Sequence, residues 1–244
     1  MHTSPFPIGV KMIKFVFLDL DDTIFDFKKA EAAALSKTLT EHGLAPTDTI
    51  VARYSAINEA FWKALERGKV TREQVLLNRF KVLFEEFGIN CDAFKVKTSY
   101  EANLGEGHYF IGGAEALLEA LHGKYKLYLA SNGTTHVQTG RIKSAGIARY
   151  FEEIFISQVV GANKPSIEFF NRCFSKIEDF KKEETIIIGD SLSSDIAGGI
   201  AAGIHTCWFN PHGAPMPSDN KPDFTVKALD EIPTLLEALQ NETV

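Results

Sequence analysis

The sequence predicts an α/β fold: a parallel sheet interleaved with helices and interrupted after its first strand by an inserted helical unit. Three observations carry this prediction. Phe15-Val16-Phe17-Leu18 is a short, unbroken apolar run, which suits a strand buried on both faces. Residues 28–104 then show helical periodicity with no strand signal. From residue 114 onward, short β-branched and aromatic runs alternate with helical stretches, the pattern of crossovers in a parallel sheet.

The elements follow in order. The first strand runs into Asp19, Asp21, Asp22 and Thr23. Residues 28–42 carry Ala and Leu at helical spacing and stop at Gly43, a C-terminal cap. Ile50, Tyr54, Ile57, Phe61 and Leu65 recur at three and four, one face of an amphipathic helix ended by Gly68. Thr71-Arg72-Glu73-Gln74 fits a capping box, and the helix it opens bears Val75, Leu76, Phe80, Leu83, Phe84 and Phe87 before Gly88. Asp92 opens a fourth helix towards Leu104. Gly105, Gly107 and Gly112-Gly113 bracket the return to the sheet. Residues 127–130, 154–156, 185–188 and 206–209 read as strands; 114–121, 137–145, 166–174 and 195–202 read as helices between them. A proline-rich loop over 211–222, a short edge strand at 224–226 and a helix at 233–239 complete the chain. The expected organisation is an α/β domain of residues 12–26 and 106–244, a helical domain of 27–105, and a disordered extension of 1–11.

Composition excludes several classes. Apolar residues make up 45% of the chain, ample for a full core. A net charge of -6 without a basic stripe disfavours nucleic acid, whose phosphates such a surface repels. No apolar run approaches the ~18 residues of a spanning helix, and the opening residues lack the apolar run of a signal peptide. Cys91, Cys173 and Cys207 are odd in number, far apart and without a C-x-x-C pair, as expected of reduced thiols in a cytoplasmic protein. A monomer or homodimer acting on a small molecule is expected.

The polar residues at the strand ends suggest the chemistry. In open parallel sheets, ligands bind beyond the carboxyl ends of the strands. There the sequence puts Asp19 and Asp21, then Ser131 and Asn132, then Asp190, Ser191 and Asp195, with Lys164 before Pro165. Singly, each has an ordinary explanation: a turn, a helix start with a solvated lysine, an N-cap. Together, at one sheet edge, they suit attack by Asp19 on a phosphorus atom. Crowded carboxylates need a cation, and hard oxygen ligands such as Asp19 and Asp190 suit Mg²⁺, which also bridges to a phosphate oxygen. Ser131 and backbone N–H groups near Asn132 would hold phosphate oxygens, and Lys164 would oppose developing negative charge. Asp21, two residues from the nucleophile, is placed to protonate the leaving oxygen and then deprotonate water.

Asp19-Leu20-Asp21-Asp22-Thr23, Ser131-Asn132, Lys164-Pro165 and Gly189-Asp190-Ser191-Leu192-Ser193-Ser194-Asp195 resemble the four motifs of the haloacid dehalogenase superfamily, in the same order. The helical insert resembles that superfamily's C1 cap. The resemblance implies a Rossmann-like core with the first strand central, an aspartyl-phosphate on Asp19, and Asp21 as general acid and base. It also implies Mg²⁺ held by Asp19, the Asp21 backbone carbonyl and Asp190, with Thr23 and Asp195 standing behind them. Residues 156–165, 194–203 and 206–210 are similar to the bacterial pyrimidine 5′-nucleotidase group, as are the cap stretches around Asn58 to Trp62 and Arg79-Phe80. Ser131 stands where that group more often has Thr.

That likeness implies hydrolysis of a nucleoside 5′-monophosphate. The alternatives are a broad sugar-phosphate phosphatase or phosphomutase, a 2-haloacid dehalogenase, against which Asp21 argues, and a non-catalytic binding module. On the nucleotidase reading, the cap selects the leaving side, with Trp62 and Phe80 offering an apolar face to a base and Asn58 or Arg79 giving polar contacts. Against this, a tryptophan such as Trp62, on the flank of the apolar stripe, is more often core packing than a stacking platform, and an arginine such as Arg79 is more often a solvated helix residue; only the resemblance lifts them. Trp62→Ala is expected to raise KM for a nucleotide about tenfold while leaving a sugar phosphate nearly unchanged, the loss of a stacking contact of about 1–1.5 kcal/mol. Equal slowing of all substrates in steady-state assays would make Trp62 a packing residue.

Overall fold

The computed structural model describes residues 12–216 and 218–241; the expected extension over 1–11 lies outside them, as does Pro217 of the proline-rich loop. The described chain separates into two compact units. One comprises residues up to Phe25, Phe110–Thr135 and the chain from Gly146 onward; the other comprises Asp26–Tyr109 and His136–Ala145.

The first unit is built on a parallel sheet of β1 (Phe15–Leu18), β2 (Lys126–Ser131), β3 (Glu153–Ile156), β4 (Thr185–Gly189), β5 (His205–Phe209) and β6 (Phe224–Val226). The spatial order is β3-β2-β1-β4-β5-β6. This is the Rossmann-like order, which reverses direction between β1 and β4 and so opens a ligand crevice at that point. β1 is central, and every one of its residues is buried, which is why its sequence is continuously apolar rather than alternating. Phe15 and Phe17 share one face with Tyr128, Phe155 and Ile187, against Phe169, Phe170 and Phe174. Register places Leu18 beside Leu129 on one side and Ile188 on the other. The carboxyl ends of β1, β2 and β4 therefore finish together.

The second unit holds α1 (Phe27–Glu41), α2 (Asp48–Glu66), α3 (Arg72–Phe87) and α4 (Ala93–Glu106). Asp26, Thr47, Thr71 and Asp92 cap them by accepting backbone N–H bonds, and the Thr71/Gln74 capping box forms in both directions. Tyr54, Ile57, Phe80, Leu83, Phe84, Val96 and Tyr100 make its core. Phe87, on the expected apolar stripe, lies partly in solvent at the last turn of α3.

The helix after β2, α6 (Thr135–Ala145), differs from the sequence reading, which kept residues 106–244 in one domain. Residues 136–145 pack with the helical unit. Val137 joins its core, the Arg141 guanidinium donates to the Gly107 carbonyl at 2.9 Å, and Gly140 lies against the backbone of Gly105. The remaining elements are α5 (Ala114–Leu121), α7 (Ser157–Val160), α8 (Ile167–Phe174), α9 (Ala197–Ala202) and α10 (Glu231–Asn241). No helix among the described residues is long and apolar enough to cross a membrane.

The Gly140 contact gives a stability prediction. A Cβ there would stand 2.6 Å from the Gly105 carbonyl oxygen, whereas one at Gly105 meets nothing nearer than 3.8 Å. Gly140→Ala gains about 1 kcal/mol of helix propensity but forces backbone apart, at about 1–3 kcal/mol. Urea unfolding is expected to show a net loss for Gly140→Ala and none for Gly105→Ala; a Gly140→Ala protein as stable as wild type would contradict the packing.

Candidate active site

Four segments converge at the carboxyl edge of β1, β2 and β4. Asp19 follows β1 by one residue, and its N–H donates to the Ile188 carbonyl at 3.0 Å, so it is still held by β4. Beyond it the chain turns tightly. Asp22 takes a left-handed backbone at φ 58°, Asp22 N–H bonds to Phe25 O, and Ile24 and Phe25 both donate to Leu20 O. Asp22 suits this turn because Asp tolerates a left-handed backbone better than most residues. Asp21 lies in this turn, and its charge is felt at Asp19.

Lys164 is the centre of the site. It is 1% exposed, and its ammonium donates to Asp19 Oδ1 at 2.6 Å, Asp195 Oδ1 at 2.6 Å and the Ala130 carbonyl at 2.5 Å. These three acceptors take all three ammonium protons. Burial alone would depress the Lys164 pKa; the two carboxylates outweigh it and hold the lysine above its ordinary value. The ordinary reading of Lys164-Pro165 as a helix start with a solvated lysine is thus corrected. Pro165 precedes Ser166, the residue that caps α8, and the lysine is buried because its charge is fully paired.

Asn132 is what fixes that lysine. Its side-chain carbonyl accepts from Lys164 N–H at 2.8 Å and its amide donates to Lys164 O at 2.9 Å. The two bonds clip the loop carrying Lys164 to the end of β2 as a strand partner would. Ser131 is buried beside it, its hydroxyl accepting from Gly133 N–H at 3.1 Å.

Asp190 and Asp195 come from the turn after β4. Asp195 is wholly buried; Oδ1 takes the Lys164 ammonium and Oδ2 takes Ser191 N–H at 3.1 Å. Gly189 makes room, since a Cβ there would overlap the Asp195 carboxylate. The expected helix over 195–202 begins instead as one π-helical turn, Leu192–Ile196, capped by Ser191. Thr23 is fully buried, and its hydroxyl accepts Asp190 N–H at 3.1 Å.

Oxygens of Asp19, Asp190 and Asp195 lie within 4.8 Å of one another. Both Asp195 oxygens are already engaged by the protein, which leaves Asp19 and Asp190 as the carboxylates available to a cation. Burial pushes the Asp19 carboxyl up to about 8, with Lys164 opposing and the charges of Asp195 and Asp21 adding to the rise. Burial, then repulsion from Asp19 and Asp195, raises Asp190 well above the carboxylate range. A buried and a half-buried carboxylate brought this close, with raised pKa values, fit a hard divalent ion such as Mg²⁺.

The residues singled out from sequence in the helical unit are described within that unit. Asn58 and Arg79 are buried within that unit and bonded to each other, Arg79 Nη1 to Asn58 Oδ1 at 2.7 Å. Asn58 also donates to Glu31 Oε1 at 2.6 Å, and the Arg79 guanidinium sits over Tyr54, Phe80 and Tyr100 at 5.0–5.8 Å. Arg79 is therefore not the solvated helix residue its position suggests. Burial raises the Glu31 carboxyl, opposed by its bonds to Ser55 and Asn58. Trp62 is half-buried, with the Arg72 guanidinium 5.6 Å over its ring. Sequence reasoning missed Glu31, because nothing in a surface-like helix pattern marks a buried acid.

The chain is similar to known proteins over most of its length. HAD-hydrolase YfnB of Bacillus subtilis is 39% identical over 223 residues, covering 91% of this chain and 95% of the relative. Pyrimidine 5′-nucleotidase PynA of Streptococcus pneumoniae is 37% identical over 220 residues, covering 90% and 93%. The crystal structure of YfnB bound to magnesium matches with a TM-score of 0.88 at 38% identity, covering 93% of this chain and 99% of that one. L-2-haloacid dehalogenase of Xanthobacter autotrophicus shares the fold, with a TM-score of 0.73 at 17% identity. A model of the haloacid dehalogenase-like hydrolases matches residues 13–203, which spans β1 through the Asp190–Asp195 turn. With that match, and with its acidic strand ends gathered around a buried lysine, the chain belongs to the haloacid dehalogenase-like hydrolases.

Proposed function

We propose that this hydrolase is a Mg²⁺-dependent phosphatase of nucleoside 5′-monophosphates, with pyrimidines preferred. The observation that supports it most is the buried Lys164 bridging Asp19 and Asp195 beside Asp190 and the Asp21 turn. The substrate class rests on the relative named as a pyrimidine 5′-nucleotidase, 37% identical over most of both chains.

In this reading Asp19 and Asp190, with the Asp21 backbone carbonyl, hold the ion. When bound, Mg²⁺ supplies the positive charge that lets a phosphate dianion approach a carboxylate. An Asp19 oxygen attacks phosphorus, and the bond from phosphorus to the nucleoside oxygen breaks. Asp21 donates its proton to that leaving oxygen, which departs as the alcohol. Asp21, now a carboxylate, takes a proton from water as the water oxygen attacks phosphorus. The Asp19–phosphorus bond breaks, giving inorganic phosphate and free Asp19. Lys164 holds Asp19 in its attacking position and opposes the negative charge that develops on the phosphoryl oxygens. Ser131 and backbone N–H groups near Asn132 contact those oxygens, while the Asn132 side chain stays on the Lys164 backbone.

Asp19→Asn keeps the shape and the Lys164 contact but removes the nucleophile. It is expected to lower kcat at least ~10⁴-fold with a near-native circular dichroism spectrum, the scale of losing a nucleophile. Turnover near wild type in the folded variant would end this mechanism. Substrate class is tested by phosphate release from nucleoside monophosphates against hexose and triose phosphates. kcat/KM is expected to be highest for a pyrimidine nucleotide, and a sugar phosphate turned over best would replace the nucleotidase reading with a broader phosphatase.

A further inference from the structure

Asp190 is held by more than the residues of its own turn. Its N–H donates to Thr23 Oγ1, and its carbonyl accepts the Trp208 indole N–H at 2.8 Å. The next N–H, of Ser191, donates to Asp195 Oδ2. The peptide planes on both sides of the Asp190 Cα are therefore fixed, and only the side-chain torsions of Asp190 remain free. Trp208 lies on β5, where register sets it directly beside Gly189 of β4, and it is buried. A buried indole N–H needs an acceptor, and here the acceptor is the backbone of a candidate cation ligand.

We propose that Trp208 is a positioning residue for cation binding: its hydrogen bond to the Asp190 carbonyl holds that carboxylate where Asp19 and Asp190 share one ion. The inference rests on the phosphatase reading for the cation and goes beyond it by assigning a role to β5, which carries none of the residues proposed to touch substrate or ion. The physical reason is preorganisation. The buried Asp19 and half-buried Asp190 carboxylates repel, and free backbone on either side of one would let them separate. Losing partners that orient a ligand typically weakens metal binding ~10–100-fold.

The test is titration of the metal-free full chain with Mg²⁺ alone. Trp208→Phe keeps an aromatic ring on β5 but removes the pyrrole half of the indole and with it the N–H. By calorimetry its Kd for Mg²⁺ is expected to rise about tenfold, and kcat, measured at rising Mg²⁺, to recover towards wild type with KM for substrate unchanged. A loss of mere packing would not be rescued by Mg²⁺. A second measurement stands if that variant does not fold. In Trp62→Phe, Trp208 is the sole tryptophan, and its emission is expected to change with Mg²⁺ along the calorimetric isotherm. Unchanged Mg²⁺ affinity in a folded Trp208→Phe, or flat Trp208 emission while calorimetry shows binding, overturns the role of Trp208 alone. No Mg²⁺ binding by the wild-type chain overturns the cation reading with it.

Discussion

A lysine ammonium sealed from water between two carboxylates governs the rest of the site. Lys164 has no solvent to stabilise its charge, so it depends on Asp19, Asp195 and the Ala130 carbonyl together. Removing one member of such a buried group leaves an uncompensated charge, at about 3–5 kcal/mol. The three acceptors come from the residue just after β1, the turn after β4 and the end of β2. Lys164 thus ties together three strand ends that are distant in the chain, and it fixes the nucleophile candidate while doing so. Its single charge does not balance the acids around it. Asp19 and Asp190 remain raised, first by burial and then by neighbouring carboxylates, and a divalent ion would offset that cost.

That arrangement rests on backbone geometry laid down by the sheet. Because β1 is central and its register leaves Leu18 between Leu129 and Ile188, residues just beyond each strand end meet without any long reach. Small details then set the distances. Asn132 clamps the backbone of Lys164, and Gly189 lacks the Cβ that would displace Asp195. Thr23 and Trp208 hold the backbone of Asp190 from β1's loop and from β5. None of these side chains has an unusual charge, yet each decides where a charged one stands.

The helical unit solves the same problem of a buried charge differently. Arg79 is enclosed by Tyr54, Phe80 and Tyr100, and Asn58 bonds both its guanidinium and the carboxyl of Glu31. Ring faces and the Asn58 side-chain carbonyl take the place of water. The cluster draws on α1, α2, α3 and α4, so it helps fix the mutual packing of all four helices.

The sequence by itself determined the element types and the chemistry available. Continuous apolar strands announced a parallel sheet, three-four periodicity and caps announced the insert, and the order of acidic, hydroxyl and lysine positions at strand ends announced the reaction class. These are legible because they depend on local pattern and on connectivity. Tertiary structure alone decided which partners each polar group found. It put α6 with the helical unit through Val137, Gly140 and Arg141, contacts that span thirty or so residues of chain. It gave the Asn132 side chain the backbone of Lys164 as its partner, and it buried Arg79 where helical spacing suggested a solvated position. It also joined Trp208 to Asp190 through an indole N–H that no motif marks. The reason is common to all of them. Periodicity records which side of an element faces inward, whereas the partner of a buried donor or charge is set by strand order and register, and those exist only in the folded chain.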